Sequence, residues 1–292
     1  MYATFEVVSR WYERLILART VIHITGLPTG ENWVNKQVHL LNVDPRGRFS
    51  GRAAYYDAYR PRYPAALLNF LQGLGFSRDS VIADIGSGTG ILTELLLKNG
   101  NTVFAVEPNE DMRKAAEVGL ARYPTFNSVV GSAESTGLRS GYVDFVTAAQ
   151  SFHWFQQSAA RREFQRILRV NGWVVLLWNK RKTSTPFLQA YDQLVAWIAA
   201  QTKSRVKHED LTDDAIVKFL GKRYQSAKLE SSQELDFDGL LGRLTSASYS
   251  PLPGEVWHQE LIQRTRELFN HFEKDGLVNI EYWTEVHAGQ LG

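Results

Sequence analysis

Seven consecutive residues, Asp84-Ile85-Gly86-Ser87-Gly88-Thr89-Gly90, point most directly to chemistry in this chain. Glycines at alternate positions tolerate positive φ and let the backbone approach a ligand closely. Twenty-one residues beyond Gly86 comes Glu107, an acidic side chain placed to accept the hydroxyl protons of a ribose. A dinucleotide fingerprint would need G-x-G-x-x-G/A, with a small residue at position 91. That position is Ile91, and the third glycine falls one residue earlier, at Gly90. Asp84, two residues before the first glycine, would repel a pyrophosphate and attract an ammonium. A ligand with a ribose and an ammonium but no phosphate suits this loop, and S-adenosylmethionine is such a molecule.

The surrounding pattern supplies the elements that would hold these groups. Val81-Ile82-Ala83 is a short apolar run leading into the glycines, and Ile91–Lys98 reads as a helix ended by Asn99-Gly100. Thr102–Val106 is a second strand, and Asn109–Leu120 a second helix with Asn109 as its cap. Further strands are expected at Phe126–Val130, Tyr142–Ala148 and, after a turn at Asn171-Gly172, Trp173–Trp178; a helix is expected at Gln156–Leu168. Helices alternating with strands mean stacked βαβ units and a parallel sheet covered on both faces. Upstream, Pro64 starts an amphipathic helix. After Lys182 come helical stretches at Phe187–Gln201, Leu211–Leu220 and Leu261–Phe272, and strand-like alternation at Ala227–Leu235 and Val278–Val286. The last two strands should complete the sheet in antiparallel fashion, with the helices as a cover over one edge.

Composition narrows the classes further. Hydrophobic residues make up 44% and charged residues 22% of the 292, which is ordinary for a globular protein. Net charge is +2 with no basic run, so nothing marks a nucleic-acid footprint. There is no cysteine, which excludes disulfides, thiolate nucleophiles and Cys-ligated zinc and is compatible with action in the cytoplasm. No apolar stretch is long enough to span a bilayer; the nearest, Leu15–Ile24, is interrupted by Arg19 and His23. Residues 1–46 are expected to be an N-terminal extension of undetermined role. Residues 47–292 would form one domain, with a cofactor half at 47–180 and the helical cover and last two strands at 181–292.

The ordered runs VIADIGSGTGILTELL, VFAVEPNEDM, GSAES, DFVTAAQSFHWF and RILRVNGWVVLLW resemble the class I S-adenosylmethionine-dependent methyltransferases. The likeness is to the small-molecule group that includes trans-aconitate and quinone-biosynthesis methyltransferases. FSGRAAYYDAYRPRYP resembles that group's lead-in, and RLTSASYSPLPG matches loosely. The resemblance implies a doubly wound, mostly parallel, seven-stranded α/β sheet, the Rossmann-like methyltransferase fold, with a C-terminal helical cover. It implies that Asp84, Gly86, Ser87, Gly88, Thr89 and Gly90 line the methionine moiety and that Glu107 holds the ribose. Pro108, Asn109 and Met112 would flank the adenosine, and Ser132, Ala133 and Glu134 would face adenine. Gln150 and Ser151 would approach the methionine portion. Tyr55, Tyr59, Arg60 and Tyr63 would form an N-terminal cover, with Arg60 a partner for the cofactor carboxylate.

Methyl transfer from a sulfonium is an in-line displacement that depends chiefly on alignment. A base is needed only for a nucleophile that carries a proton, and His153 is the candidate. His208, His258, His271 and His287 lack a partnered pattern and are expected at the surface. The segment Ala149-Gln150-Ser151-Phe152 departs from the Asn/Asp-Pro-Pro-Tyr/Phe run of enzymes that methylate amino nitrogens of adenine or glutamine. A small-molecule acceptor is expected, with oxygen, nitrogen and carbon all open as the methylated atom. Trp154, Trp178, Arg243 and Tyr249, beside Phe155, are candidates for an aromatic acceptor pocket with one cation, and an arginine there suits a carboxylate. No metal constellation is evident. Two rivals stand beside this reading. One is an S-adenosylmethionine-binding protein without transferase activity. The other is an NAD(P) oxidoreductase using the Tyr-x-x-x-Lys pair Tyr224 and Lys228.

Overall fold

The computed structural model describes residues 58–202, 213–247, 249–251 and 253–291. The N-terminal extension, Tyr55 and His208 lie outside the described residues. The first helix is α1 (Ala66–Gly73), followed by β1 (Val81–Ile85), α2 (Ile91–Lys98), β2 (Thr102–Val106), α3 (Glu110–Leu120), β3 (Phe126–Val129) and β4 (Val143–Ala149). A 3-10 turn at Phe152–Trp154 leads into α4 (Gln157–Ile167) and β5 (Leu168–Arg181). The remainder is α5 (Pro186–Gln201), α6 (Asp213–Leu220), β6 (Lys222–Leu235), α7 (Phe237–Thr245), α8 (His258–Phe272) and β7 (Val278–Gln290).

Seven strands form one sheet in the order β3-β2-β1-β4-β5-β7-β6. The pairs from β3 to β5 are parallel, and β7 runs antiparallel to both β5 and β6. The doubly wound class and the antiparallel completion therefore agree with the sequence pattern. Strand order reverses between β1 and β4, and open α/β sheets bind ligands beyond the strand ends at such a point.

Side-chain alternation assigns two faces. Ala83, Ile85, Val146, Ala148, Leu176 and Trp178 pack on one face with Phe152, Phe164 and Phe219. Ile82, Phe145, Val175, Leu177 and Val286 pack on the other with Leu67, Leu71, Leu92 and Leu96 of α1 and α2. On that second face, farther along β7, Ile280 and Tyr282 join Leu188, Leu240 and Leu261 of α5, α7 and α8 in a third cluster. This is the expected helical cover.

Two details differ from the sequence expectation. Asn171-Gly172 does not end a turn before a short strand: Asn171 takes φ 65° within β5, at an irregularity in the β4–β5 register. Helix α7 has no counterpart in the sequence pattern. Asp236 caps it by accepting the Gly239 N–H at 2.7 Å, but Gly239 and Gly242 inside nine residues disguise it.

Candidate functional site

The glycine loop leaves β1 pinned by its neighbours. Gly86 N–H donates to the Val106 carbonyl at 2.8 Å, and Gly88 N–H to Glu107 Oε2 at 2.9 Å. Gly86, Gly88 and Gly90 all take positive φ, of 65°, 58° and 88°. Gly90 packs against α3, where an added Cβ would come within 2.5 Å of Leu120. Around Gly88 the same Cβ would meet nothing, so that glycine opens onto space. Asp84, Gly86, Ser87, Gly88, Ile91, Leu92, Ala149 and Tyr63 line a cleft at this place.

Asp84 lies at the back of this cleft, only 1% exposed, with its two oxygens accepting hydroxyl protons from Thr93 at 2.7 Å and Thr147 at 2.9 Å. Burial raises its carboxyl to about pH 6, against the opposing pull of the two threonines. Glu107 is also buried, and burial raises its pKa too, with the Asn109 and Gly88 amides working the other way. Each of its oxygens takes one backbone N–H, from Asn109 at 2.8 Å and from Gly88. A carboxylate has about four lone-pair sites, so two are left for further donors such as a diol. Ser87 Oγ and Thr89 Oγ1 are buried with no hydrogen-bond partner, an arrangement that favours a polar ligand at the loop.

The other predicted residues gather at the same strand ends. Asn109 Oδ1 caps α3 by accepting the Met112 N–H at 3.0 Å, which fixes Pro108, Asn109 and Met112 beside Glu107. Ser132 and Ser135 exchange backbone hydrogen bonds in a tight turn. Ala133 is in the core, and Glu134 Oε1 accepts the Gln156 N–H at 2.8 Å. After β4, Gln150 adopts φ 57°, a conformation a non-glycine residue rarely takes. Ser151 Oγ donates to the Ile85 carbonyl at 2.8 Å, joining this loop to the glycine loop. His153 is half-buried against the exposed Trp154 ring, with centroids 4.7 Å apart.

Arg60 is placed elsewhere. Its Nη2 donates to the Ser246 carbonyl at the end of α7, at 3.1 Å, while Tyr63 rather than Arg60 lines the cleft. The four acceptor candidates do not form one pocket. Trp178 packs edge-on to Phe152 and His287 on one face of the sheet. Arg243 donates to the Tyr282 hydroxyl, and Tyr249 packs in the helical-cover cluster, both on the other face. That second face is the one carrying Asp84, Thr147 and Ala149. His258 and His287 are buried at 9% and 7% exposure, contrary to the surface expectation, while His271 is exposed. His287 Nδ1 shares a 2.7 Å hydrogen bond with Tyr224 Oη, a partner 63 residues away that local spacing does not reveal.

Tyr224 and Lys228 lie on β6 at the far edge of the sheet, four strand positions from β1. At about 4.8 Å per strand this is roughly 19 Å from the glycine loop, and Lys228 pairs with Glu285 at 3.0 Å. The pair is too remote to serve a ligand in the glycine cleft. Among the described residues no cluster of three His, Asp or Glu could hold a metal ion, and no helix is long and apolar enough to cross a membrane.

The family description "Methyltransferase domain" matches residues 83–176, the stretch from β1 to β5 that builds this cleft. An uncharacterized methyltransferase of a Geobacillus species is 38% identical over 157 residues, which cover 50% of this chain and 73% of the relative. An uncharacterized methyltransferase of Schizosaccharomyces pombe is 32% identical over 149 residues, 50% of this chain and 58% of the relative. The chain thus spans little more than half the length of that fission-yeast protein. A solved structure from Anaeromyxobacter dehalogenans, provisionally assigned as a type II methyltransferase, superposes with a TM-score of 0.63 at 24% identity. It covers 80% of this chain and 99% of its own, and shows the shared fold.

Proposed function

Since this chain belongs to the methyltransferase family, we propose that it transfers a methyl group from S-adenosylmethionine to a small-molecule acceptor by in-line displacement. The observation that carries the reading is the polar cradle at the glycine loop. Asp84 and Glu107 are both buried there, and the hydroxyls of Ser87 and Thr89 are buried without partners. A ligand with an ammonium, a carboxylate and a ribose complements these groups; a pyrophosphate would face two buried carboxylates.

When bound, S-adenosylmethionine supplies a methyl group on a sulfonium, a leaving group that needs alignment more than activation. The chain's residues provide that alignment. Asp84 attracts the ammonium from the back of the cleft, and the Ser87 and Thr89 hydroxyls can donate to the carboxylate. Glu107 accepts from the ribose hydroxyls. Pro108, Asn109 and Met112 flank the adenosine, while Ser132, Ala133 and the Glu134 turn border the adenine. Gln150 and Ser151 close the methionine end. Fixing two reactants in register supplies several kcal/mol of barrier reduction by itself. For a nucleophile that carries a proton, the imidazole of His153 takes it, with the Trp154 ring alongside.

The test is turnover. The full chain is incubated with S-adenosylmethionine and pooled small carboxylic acids, phenols and amines, and products are read by mass spectrometry. A product heavier by one CH2, formed with equivalent S-adenosylhomocysteine, is the expected outcome. Binding of the cofactor with no product from any pool would favour a binding protein without transferase activity.

A further inference from the structure

Arg243 is a buried cation with no anionic partner among the described residues. It stands on α7 at 7% exposure, and the one hydrogen bond of its guanidinium to a described residue runs from Nε to Tyr282 Oη at 3.4 Å. That is long for such a bond, and the guanidinium has four further N–H groups. No carboxylate among the described residues pairs with it. Arg181, on the same stretch of sheet, is by contrast committed to Asp192 and lies over the Tyr191 ring. The groups that surround Arg243 electrostatically are the phenols of Tyr282, Tyr191 and Tyr249. Burial pushes the Tyr191 phenol up to about 12, against the pull of Arg243 and Arg181, so it supplies no negative charge near neutral pH. A buried charge is strongly unfavourable unless paired, and fixed dipoles of neutral hydroxyls compensate only in part.

The position of this cation relates it to the glycine cleft. Tyr282 projects from the sheet face that also carries Asp84 and Ala149. The Tyr59 ring packs against Gly242, next to Arg243, so closely that an added Cβ would lie 2.5 Å from it. Tyr63, four residues on, lines the cleft with Asp84 and Gly86. Four residues reach at most about 14 Å, so α7 and the glycine loop stand at the two ends of one short segment.

We propose that Arg243 is the receptor for a carboxylate of the methyl acceptor, held beneath α5, α7 and α8 with the Tyr191 hydroxyl as an additional donor; the Tyr282 hydroxyl gives its proton to Gln233 Oε1. The assignment rests on the methyltransferase reading. One guanidinium neutralises one carboxylate, and the planar fork can engage both oxygens. A phosphate monoester, carrying about −1.5 to −2 charges, would leave negative charge buried and unmatched, because Arg181 already serves Asp192.

The experiment uses the full chain saturated with S-adenosylhomocysteine, with thermal shift and calorimetry as readouts. The probes are sodium hexanoate and sodium benzoate, their neutral counterparts hexanamide and benzamide, and inorganic phosphate. The carboxylates should bind and raise the melting temperature, while the amides and phosphate should not. Arg243→Met should weaken carboxylate binding at least tenfold, and Arg243→Lys should weaken it less. S-adenosylhomocysteine affinity should be the same in all three proteins. Arg243→Met should also melt, without carboxylate, no lower than the wild type, since it removes a buried charge that no described carboxylate pairs; a purely structural arginine would lower it. Equal carboxylate binding by wild type and variant, equal binding of the amides, a preference for phosphate, or no carboxylate binding would each overturn the proposal. If Arg243→Met does not fold, Arg243→Lys decides, and undiminished carboxylate binding there rejects the assignment. Failure of the wild type to bind S-adenosylhomocysteine would instead overturn the underlying methyltransferase reading.

Discussion

A methyl group in place of the Gly86 hydrogen would lie 2.6 Å from the Cβ of Ser151. The loops after β1 and β4 therefore meet at the topological switch point with no room for a side chain between them. Gly86 also takes φ 65°, so alanine there would be strained as well as crowded. We expect Gly86→Ala to cost about 1–3 kcal/mol of stability and to weaken S-adenosylhomocysteine binding at least tenfold. Adding Ser151→Gly should restore part of the affinity, since it removes the crowding and leaves the strain. Calorimetry on both variants checks this; no recovery in the double variant would contradict the contact argument.

Glu107 engages Gly88 and Asn109 while keeping capacity for a diol. Hydrogen bonds to charged groups contribute about 1.5–3 kcal/mol, so Glu107→Gln should lower adenosyl-ligand affinity by about 10- to 100-fold. 2′-Deoxyadenosine analogues of the ligand should lose less on the variant than on the wild type. Equal losses on both proteins would show that the ribose is held elsewhere.

Asp84 makes the account sensitive to pH. Its carboxyl is raised from 3.8 to about 6 by burial, so the folded state holds the proton more tightly than the unfolded state. That contribution to stability is complete below pH 3.8 and is lost as pH rises through about 6; above it, the buried charge costs on the order of 3 kcal/mol. Asp84→Asn should therefore melt higher than the wild type near pH 7.5, with the difference shrinking towards pH 4. Affinity for the ammonium-bearing ligand should fall in the wild type as pH drops below about 6 and stay flat in Asp84→Asn. Melting curves and titrations at four pH values test both signs.

The cofactor half was legible because its determinants are local. A β-branched run, alternating glycines and a capped helix follow one another within twenty residues of Val81, and Glu107 falls at the end of the next strand. The acceptor side was not, because its determinants are distant in sequence. Gly242 sits inside a helix to admit the Tyr59 ring, and that requirement is invisible at Gly242 itself. His287 is buried by a partner on another strand, Tyr224. Arg243 was recognisable as a cation near aromatic residues, but that no carboxylate among the described residues pairs with it depends on which strands and helices converge on it. Trp178 was grouped with it on composition, and sheet alternation puts the two on opposite faces.

Gly242 gives a stability prediction at that hidden contact. Gly242→Ala would drive a methyl into the Tyr59 ring, and overpacking of this kind costs about 1–3 kcal/mol. Tyr59→Ala in the same chain should relieve the clash, so the double variant should melt higher than the sum of the two single losses allows. A double-mutant cycle by thermal denaturation measures the coupling, and strict additivity would contradict the packing.

The most direct measurement of the central claim is calorimetric titration of the full chain with S-adenosylhomocysteine and, separately, with NADH, on the wild type and Glu107→Ala. The account predicts one-to-one micromolar binding of S-adenosylhomocysteine, lost in Glu107→Ala, and no binding of NADH. Binding of NADH with none of S-adenosylhomocysteine would contradict it.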